Sequence, residues 1–357
     1  MKMIKVGIIG CGGIAFGKHL PSLNKLENVE MVAFCDLDID RATKAQKEFG
    51  TKDAKVFTDY KELLKEDIAV VHVLTPNITH SEISIAAMES DKHVMCEKPM
   101  AINAIEAQKM LDVMEKTGKK LTIGYQNRFR NDSEYLNKKA RNHELGHIYM
   151  AKAQAIRRRA VPTWGSFLNE EAQGGGPLID IGTHALDLTL WMMDNHKPKM
   201  VVGNVYHELS PTENAANAWG PWDPKKFTVE DSAFGFITME NGASIYLEAS
   251  WALNARLEGE AKTELYGSKM GADMHDGLTL NGEEDGSLFE KKIDFEIGGV
   301  DFYDGTSEDI GYKEAKAWID AIVNDTKPVV CPYEAKVVTE ILDAIYESSK
   351  TKKPILF

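Results

Sequence analysis

The fold is decided by the stretch Ile4-Lys5-Val6-Gly7-Ile8-Ile9-Gly10-Cys11-Gly12-Gly13-Ile14-Ala15, in which an apolar run leads into a glycine-rich turn. The apolar run predicts a buried strand, and the small residues after it predict a tight turn into a helix. The free N–H groups at the start of such a helix bind phosphates. The stretch therefore predicts the opening of a dinucleotide-binding fold, with the cofactor-contacting residues Gly10, Gly12, Gly13, Ile14 and Ala15.

A second apolar run, Val29–Cys35, ends at an acidic residue, Asp36, twenty-one residues after the glycine loop. A carboxylate in this position binds the ribose 2′-hydroxyl of NAD and repels the 2′-phosphate of NADP. Asp38 adds a second negative charge nearby. We therefore expect NAD rather than NADP, unless Arg41 or Lys44 turns toward a phosphate. The alternative interpretation is a glycine turn followed by an unrelated surface aspartate.

The composition is that of a globular protein large enough for two domains. The chain has 357 residues, a hydrophobic fraction of 43% and a net charge of −13, and the charge makes nucleic acid or an anionic membrane surface an unexpected partner. The first strand begins almost at Met1, which leaves no room for a signal peptide, and no apolar stretch is long enough to span a bilayer. The cysteines lack a Cys-x-x-Cys pair, as expected in the reducing cytoplasm; they are Cys11, Cys35, Cys96 and Cys331.

Residues 1–126 alternate strand and helix, which predicts a doubly wound α/β domain with a parallel sheet, that is, a Rossmann domain. The apolar runs are nearly continuous, as in strands that are buried on both faces. The predicted strands are Ile4–Ile9, Val29–Cys35, 69–74, His93–Cys96 and 121–124, and the predicted helices are 14–26, 41–49, 80–88 and Ala104–Thr117, the last ending at Gly118 as a C-cap.

Residues 127–357 have a different pattern, which predicts an α+β domain on an open, mostly antiparallel sheet. Apolar and polar residues alternate here more than in the first part, which indicates a sheet with one covered face. Asn241-Gly242 is a hairpin turn signal. The predicted strands are Ile148–Ile156, 200–207, 229–239 and 243–251, and the predicted closing helices are 307–324 and 333–349.

Lys98 is a candidate catalytic residue because it follows a predicted buried strand, within Cys96-Glu97-Lys98-Pro99. Ligands of doubly wound sheets bind outside the carboxyl ends of the strands, so this lysine is expected near the nicotinamide. Pro99 fixes the backbone beside it. The alternative is a solvated lysine at the start of a loop.

A second candidate group lies in the stretch from Gly174 to Asp187, where a glycine run precedes Pro177 at the predicted start of a helix. Asp180, His184 and Asp187 are spaced i, i+4 and i+7 and would share one helix face. Such a stripe suits proton transfer, since a histidine serves as base and an aspartate orients it. A metal site or a polar cluster within the core are the alternatives, and we expect no metal because no His-x-x-x-His or cysteine cluster accompanies the stripe.

The chain resembles the Gfo/Idh/MocA family of oxidoreductases over nearly its whole length. The motifs that carry the resemblance, in the family's order and spacing, are Gly10–Ala15, Thr75-Pro76-Asn77-x-x-His80, Glu97-Lys98-Pro99, Arg128-Phe129 and Gly175-Gly176-x-Leu178-x-Asp180-x-Gly182-x-His184. The resemblance implies that Lys98, Asp180 and His184 form the catalytic trio, with His184 as the base. It also implies a homodimer or homotetramer formed through the C-terminal sheet. The residues that it implies along the cofactor cleft are Thr75, Pro76, Asn77, His80, Glu97 and Lys98; for His80 the alternative is a solvent-exposed residue at a helix start.

Arginine and tryptophan residues just before the glycine run indicate the substrate. Arg158 and Trp164 suit a polyhydroxylated ring, through hydrogen bonds to its hydroxyls and stacking on its apolar face. A basic surface strand with a packed tryptophan is the alternative. A second aromatic segment, within residues 209–227, is too long for a routine connection; it would cap the active site or reach a neighbouring subunit.

Together these patterns predict an NAD-dependent dehydrogenase that oxidises a secondary ring hydroxyl of a sugar or cyclic polyol. Lys98, Arg158, Trp164, Asp180 and His184 are the predicted substrate contacts. Two alternatives stay open: a glycosidase that retains NAD and oxidises its substrate transiently, and a non-catalytic sensor of NAD and sugar.

Overall fold

The computed structural model describes residues 3–256, 258–295 and 309–357. The chain forms two compact units, Met1–Gln126 with Asp309–Lys336, and Asn127–Glu308 with Val337–Phe357. The sequence pattern predicted that 309–336 belongs to the second half of the chain. In the structure this segment clusters with the first unit, because Trp318 and Ile319 pack into the hydrophobic core of that unit.

The strands and helices are numbered in chain order. The strands are β1 (Ile4–Ile9), β2 (Val29–Cys35), β3 (Lys55–Phe57), β4 (Val70–Val73), β5 (His93–Cys96), β6 (Leu121–Ile123), β7 (Ile148–Ile156), β8 (Pro198–Tyr206), β9 (Ser232–Met239), β10 (Ser244–Ser250), β11 (Gly259–Gly267), β12 (Met270–Asp273), β13 (Leu278–Glu284), β14 (Ser287–Ile293) and β15 (Ile355–Leu356). The α-helices are α1 (Leu20–Asn24), α2 (Ile39–Phe49), α3 (Tyr60–Leu63), α4 (His80–Glu89), α5 (Ala104–Thr117), α6 (Asn131–Arg141), α7 (Glu170–Gln173), α8 (Thr183–Met193), α9 (Ile310–Val323) and α10 (Pro332–Thr351).

The first unit contains a six-stranded sheet in the order β3-β2-β1-β4-β5-β6, with all neighbours parallel. This is the strand order of a Rossmann domain, so the prediction for the first part of the chain is confirmed. The order reverses between β1 and β4, and ligands of such sheets bind at the carboxyl ends of these strands. Helix α5 ends at Gly118 in the left-handed conformation, as predicted, and begins at the N-cap Asn103, which was not predicted.

The second unit contains a nine-stranded sheet in the order β14-β13-β12-β11-β7-β10-β9-β8-β15. Its neighbours are antiparallel except for β7 and β10, which pair in parallel. The mostly antiparallel sheet is thus confirmed, and so is the hairpin, since Gly242 has a φ of +87° between β9 and β10. Helix α8 packs across β7 and β11.

Several elements differ from the prediction. Strands β11 to β14 were not predicted, nor was β3 or α6. The predicted helix 307–324 corresponds to α9, and residues 307 and 308 lie outside the described part of the chain. Across the ranges that the structure describes, no helix is both long and apolar enough to cross a membrane.

Candidate active site

The glycine loop has the geometry that phosphate binding requires. Gly10 has a φ of +94°, and a Cβ atom there would lie 2.5 Å from the Leu74 carbonyl oxygen, so the turn admits only glycine. A Cβ atom at Gly12 or Gly13 would meet no protein atom within 4 Å. Packing within the protein therefore does not explain glycine at these two positions, whereas a closely approaching pyrophosphate does. Ala15 begins a π-helical turn, Ala15–His19, that continues into α1, and it is fully buried, as expected for the contact between helix and strand.

Asp36 is fixed at the carboxyl end of β2. Its carboxylate accepts hydrogen bonds from the Cys11 N–H (2.8 Å) and the Asp38 N–H (2.9 Å), which joins it to the glycine loop. Asp38 is the N-cap of α2 and pairs with Arg41 at 3.3 Å. Lys44 lies 4.8 Å from the centre of the Phe16 ring. Both cations that would favour NADP thus have partners within the protein, and the residues present fit NAD.

The loops after β4 and β5 carry the remaining predicted cofactor contacts, and His80 joins these loops. Thr75, Pro76 and Asn77 follow β4 and are partly or fully exposed, and Lys98 follows β5 and is half-buried. His80 is buried, with its ring nitrogens 2.8 Å from the carbonyl oxygens of Pro99 and Thr75. Burial lowers its pKa. The exposed position considered for His80 is therefore wrong, and its geometry is that of a residue that positions the two loops.

Glu97 lies beneath Lys98 in a buried charge cluster. Its carboxylate contacts Lys18 Nζ (2.5 Å), His19 Nε2 (2.7 Å) and the Lys98 N–H (3.1 Å). Lys18 also contacts Glu314 at 3.0 Å. Burial would raise the pKa of Glu97, but the adjacent Lys18 and His19 hold it well below its usual range. The structure therefore places Glu97 behind the predicted cleft, where it anchors the backbone of Lys98.

The helix with the predicted proton-transfer residues is buried almost throughout. It begins with a π-helical turn, Leu178–Gly182, that continues into α8. Within residues 178–192 the two residues that are not buried are Asp180 and His184. The predicted three-residue stripe is therefore divided, because Asp187 lies in the core and forms a two-point ion pair with Arg128 (3.0 and 2.6 Å).

The start of this helix is held by Glu230, which no sequence motif marks. Glu230 is buried, and its carboxylate accepts hydrogen bonds from the N–H groups of Gly176 (2.8 Å) and Leu178 (3.0 Å) and from the Tyr346 hydroxyl (2.9 Å). Burial raises its pKa to about 7. A Cβ atom at Gly175 would lie 2.0 Å from the Tyr346 hydroxyl, so the glycine run is needed for this cap.

Asp180 is fixed in turn by an indole. Trp251 Nε1 donates a hydrogen bond to Asp180 Oδ2 at 3.1 Å. Arg157 pairs with Glu260 and lies 5.5 Å from the centre of the Trp219 ring. The negative charge of Asp180 contributes to raising the pKa of Arg157. Arg158, in contrast, is exposed. The arginine associated with Asp180 is thus Arg157, one residue before the predicted substrate contact.

Over the residues that the structure describes, no cluster of three His, Cys, Asp or Glu side chains is arranged to hold a metal ion.

Comparisons with known proteins agree with this architecture. The sequence model of the oxidoreductase family with an NAD-binding Rossmann fold, GFO_IDH_MocA, matches residues 4–125, and that of the GFO/IDH/MocA C-terminal domain matches residues 134–272. The chain is 33% identical to the D-glucoside 3-dehydrogenase of Escherichia coli over 353 residues, which cover 98% of this chain and 96% of that protein. It is 29% identical to the inositol 2-dehydrogenase of Salmonella typhimurium over 54% of this chain and 55% of that protein.

Solved structures show the same fold at lower sequence identity. An oxidoreductase domain protein from Kribbella flavida superimposes with a TM-score of 0.84 and 22% identity, over 100% of this chain and 99% of that one. Levoglucosan dehydrogenase in complex with NADH and levoglucosan superimposes with a TM-score of 0.81 and 20% identity, over 99% of each chain. The chain belongs to the Gfo/Idh/MocA family of oxidoreductases with an NAD-binding Rossmann fold.

Proposed function

We propose that this protein is an NAD-dependent dehydrogenase that oxidises a secondary ring hydroxyl of a sugar or cyclic polyol, with D-glucosides as the first substrate class to test. The observation that carries the proposal is the pair Asp180 and His184, the two accessible residues of an otherwise buried helix. A base and an orienting carboxylate that are both partly accessible on one helix suit removal of a hydroxyl proton. The similarity to a D-glucoside 3-dehydrogenase over nearly the whole chain supports the substrate class.

The cofactor contacts follow from the Rossmann unit. The backbone N–H groups of Gly12, Gly13 and Ile14 would hold the pyrophosphate at the helix start. Asp36 would bind the ribose hydroxyls, and residues 75–77 would contact the nicotinamide end. Bound NAD would supply the hydride acceptor for oxidation of the ring carbon to a ketone.

Three side chains act on the reacting hydroxyl. His184 accepts the hydroxyl proton as the C–H bond breaks and the C=O bond forms. Asp180, held by Trp251, sets the orientation of the imidazole. The family resemblance implies that Lys98 stabilises the charge that develops on the reacting oxygen. Arg158 and Trp164 contact the rest of the substrate.

The assembly and its location belong to the same proposal. Apolar residues of the nine-stranded sheet are exposed, among them Tyr149, Val202, Phe236 and Tyr246. A second copy of the chain would cover this face and form a homodimer or homotetramer. Free cysteines, three of them buried, suit a cytoplasmic enzyme.

The test is reduction of NAD by a panel of D-glucose, methyl D-glucosides and myo-inositol. We expect NADH and a ketosugar in equal amounts with at least one of these compounds. Lys98→Met and His184→Asn should each lower kcat by about 100-fold or more, as expected for loss of a charge-stabilising group and of a proton-transfer group, respectively. His207→Asn removes an exposed histidine of the same unit and is the matched control.

Two results would contradict the proposal. Tight binding of NADH without hydride exchange to any polyol would indicate a sensor. Release of free sugar from the glucosides without net NADH would indicate a glycosidase that retains NAD.

A further inference from the structure

Two tryptophans of the second unit are exposed side by side. Trp164 is 51% exposed and Trp219 is 46% exposed. Their ring centres are 4.9 Å apart and their planes meet at 79°. The two indoles thus form a corner of two apolar surfaces, which we call the indole corner (Trp164 and Trp219).

The indole corner is built by specific contacts rather than by chance exposure. The Asn217 side chain accepts a hydrogen bond from the Val161 N–H (2.8 Å) and donates to the carbonyl oxygens of Val161 (3.0 Å) and Gly220 (2.8 Å). The Thr163 hydroxyl donates to the Trp219 carbonyl oxygen at 3.1 Å. These bonds fix the aromatic segment against the segment that carries Trp164, and the two exposed rings pack against each other.

Further along the chain, the aromatic segment is anchored to the core. Trp222 is buried and donates from Nε1 to the Ser210 carbonyl oxygen at 2.9 Å. Asp231 accepts hydrogen bonds from the N–H groups of Leu209 (2.6 Å) and Ser210 (2.8 Å). The segment is therefore a fixed support for the backbone that carries Trp219.

The indole corner is connected to Asp180 through contiguous side chains. Trp164 packs on Phe167 with ring centres 6.0 Å apart, and Phe167 packs on Trp251 at 6.3 Å. Trp251 donates its hydrogen bond to Asp180. The corner is thus two ring contacts from the indole that holds Asp180, which is beside the proposed reacting position and not at it.

The size and polarity of the indole corner suit a sugar ring better than a protein partner. Two half-exposed indoles present roughly 250 Å² of surface, well below the ~800 Å² per partner of a standard protein interface. The Arg157 guanidinium lies 5.5 Å from the centre of the Trp219 ring and donates to Glu260 and to the Ala160 carbonyl oxygen, so a charged, hydrogen-bonded pair adjoins the apolar surface. Indole faces bind the C–H face of a pyranose, while polar groups at the edge of such a surface bind its hydroxyls.

We propose that the indole corner is a subsite for the second sugar ring of a disaccharide or longer glucoside, whose first ring is oxidised beside Asp180. The inference rests on the proposed function and goes beyond it, since it names the part of the substrate that does not react. It also changes the predicted role of Trp164, from a contact of the reacting ring to a contact of the neighbouring ring.

The experiment compares kcat/KM with NAD for cellobiose and maltose against the methyl D-glucoside of the same anomeric configuration. We expect wild-type protein to prefer one disaccharide by roughly three- to tenfold, the range of one aromatic contact. Trp219→Ala should abolish this preference and leave kcat/KM for the methyl glucoside within about twofold. Tyr333→Ala, which removes an aromatic residue of similar exposure in the first unit, is the control.

A second measurement does not depend on turnover. The preferred disaccharide should change the tryptophan fluorescence of wild-type protein, and the change should be lost in Trp219→Ala. NAD reduction without any disaccharide preference would overturn the subsite and leave the proposed function intact, whereas no NAD reduction by any sugar would overturn the proposed function itself. Dissociation of an oligomer by Trp219→Ala would show that the corner is a subunit contact and would also overturn the subsite.

Discussion

Asp187→Ala is expected to lower the melting temperature strongly, whereas His184→Asn on the same helix is expected to lower activity instead. Asp187 and Arg128 form a two-point ion pair with side chains that are 1% and 0% exposed. Arg128 also lies 5.3 Å from the centre of the Trp191 ring, within the core. Removal of the carboxylate leaves a buried guanidinium without its counter-ion, at a cost of about 3–5 kcal/mol. For a cooperative unit of roughly 200 residues this corresponds to a fall in Tm on the order of 10 °C.

The assay is thermal unfolding followed by circular dichroism, together with kcat per folded molecule. Asp187→Ala should keep kcat within about tenfold of wild type at a temperature where it is folded, because Asp187 does not reach the exposed face. The pair replacement Arg128→Met with Asp187→Leu should restore most of the lost stability, since it removes both charges. The reasoning would be refuted if Asp187→Ala melted like wild type and yet lost activity as His184→Asn does.

Three further outcomes follow from the other contacts. Asp36→Ser should raise the ratio of kcat/KM with NADP to that with NAD by at least about tenfold, because a like-charge contact with the 2′-phosphate is removed; an unchanged ratio in coupled assays would contradict the assignment. Burial raises the pKa of Glu314 to about 7 even beside Lys18. Ionisation of Glu314 therefore lowers the free energy of unfolding of the wild-type protein as the pH rises from the unfolded-state pKa toward 7. In urea titrations, the free energy of unfolding of Glu314→Gln should equal that of wild type near about pH 5 and exceed it by about 1–3 kcal/mol near about pH 8. Glu230→Gln should cost about 1–3 kcal/mol, since it turns an amide N–H₂ group toward the Gly176 N–H, and an unchanged Tm and kcat would contradict its capping role.

The Rossmann unit could be predicted from the sequence because its signals are local. Each strand except β3 is a short apolar run bounded by turn residues, and helix α5 shows both its N-cap Asn103 and its C-cap Gly118. The second unit was predicted less fully. Strands β13 and β14 carry largely exposed polar residues, so no periodic apolar face reveals them, and Asp285-Gly286 between them is their one local signal, that of a hairpin turn.

The catalytic candidates could also be predicted, but their supports could not. Asp180 and His184 are close in sequence, so their spacing is visible before the fold is known. Glu230 meets Gly176 from more than fifty residues away, and Glu97 meets Lys18 across a still larger separation, so only the fold brings these groups together. The π-helical turn Leu178–Gly182, which contains Asp180 and precedes the part of the helix that carries His184 and Asp187, has no signal in the sequence either.

The central claim is that a hydride passes from a ring carbon of a sugar to the nicotinamide, with His184 as the proton acceptor. The most direct measurement incubates the purified protein and NAD with a D-glucoside deuterated at its ring carbons and follows the label by mass spectrometry. We predict deuterium in the NADH of the wild-type reaction and its near absence with His184→Asn, although that variant still binds NADH. Deuterium found in solvent and not in NADH, or equal transfer by the variant, would contradict the claim.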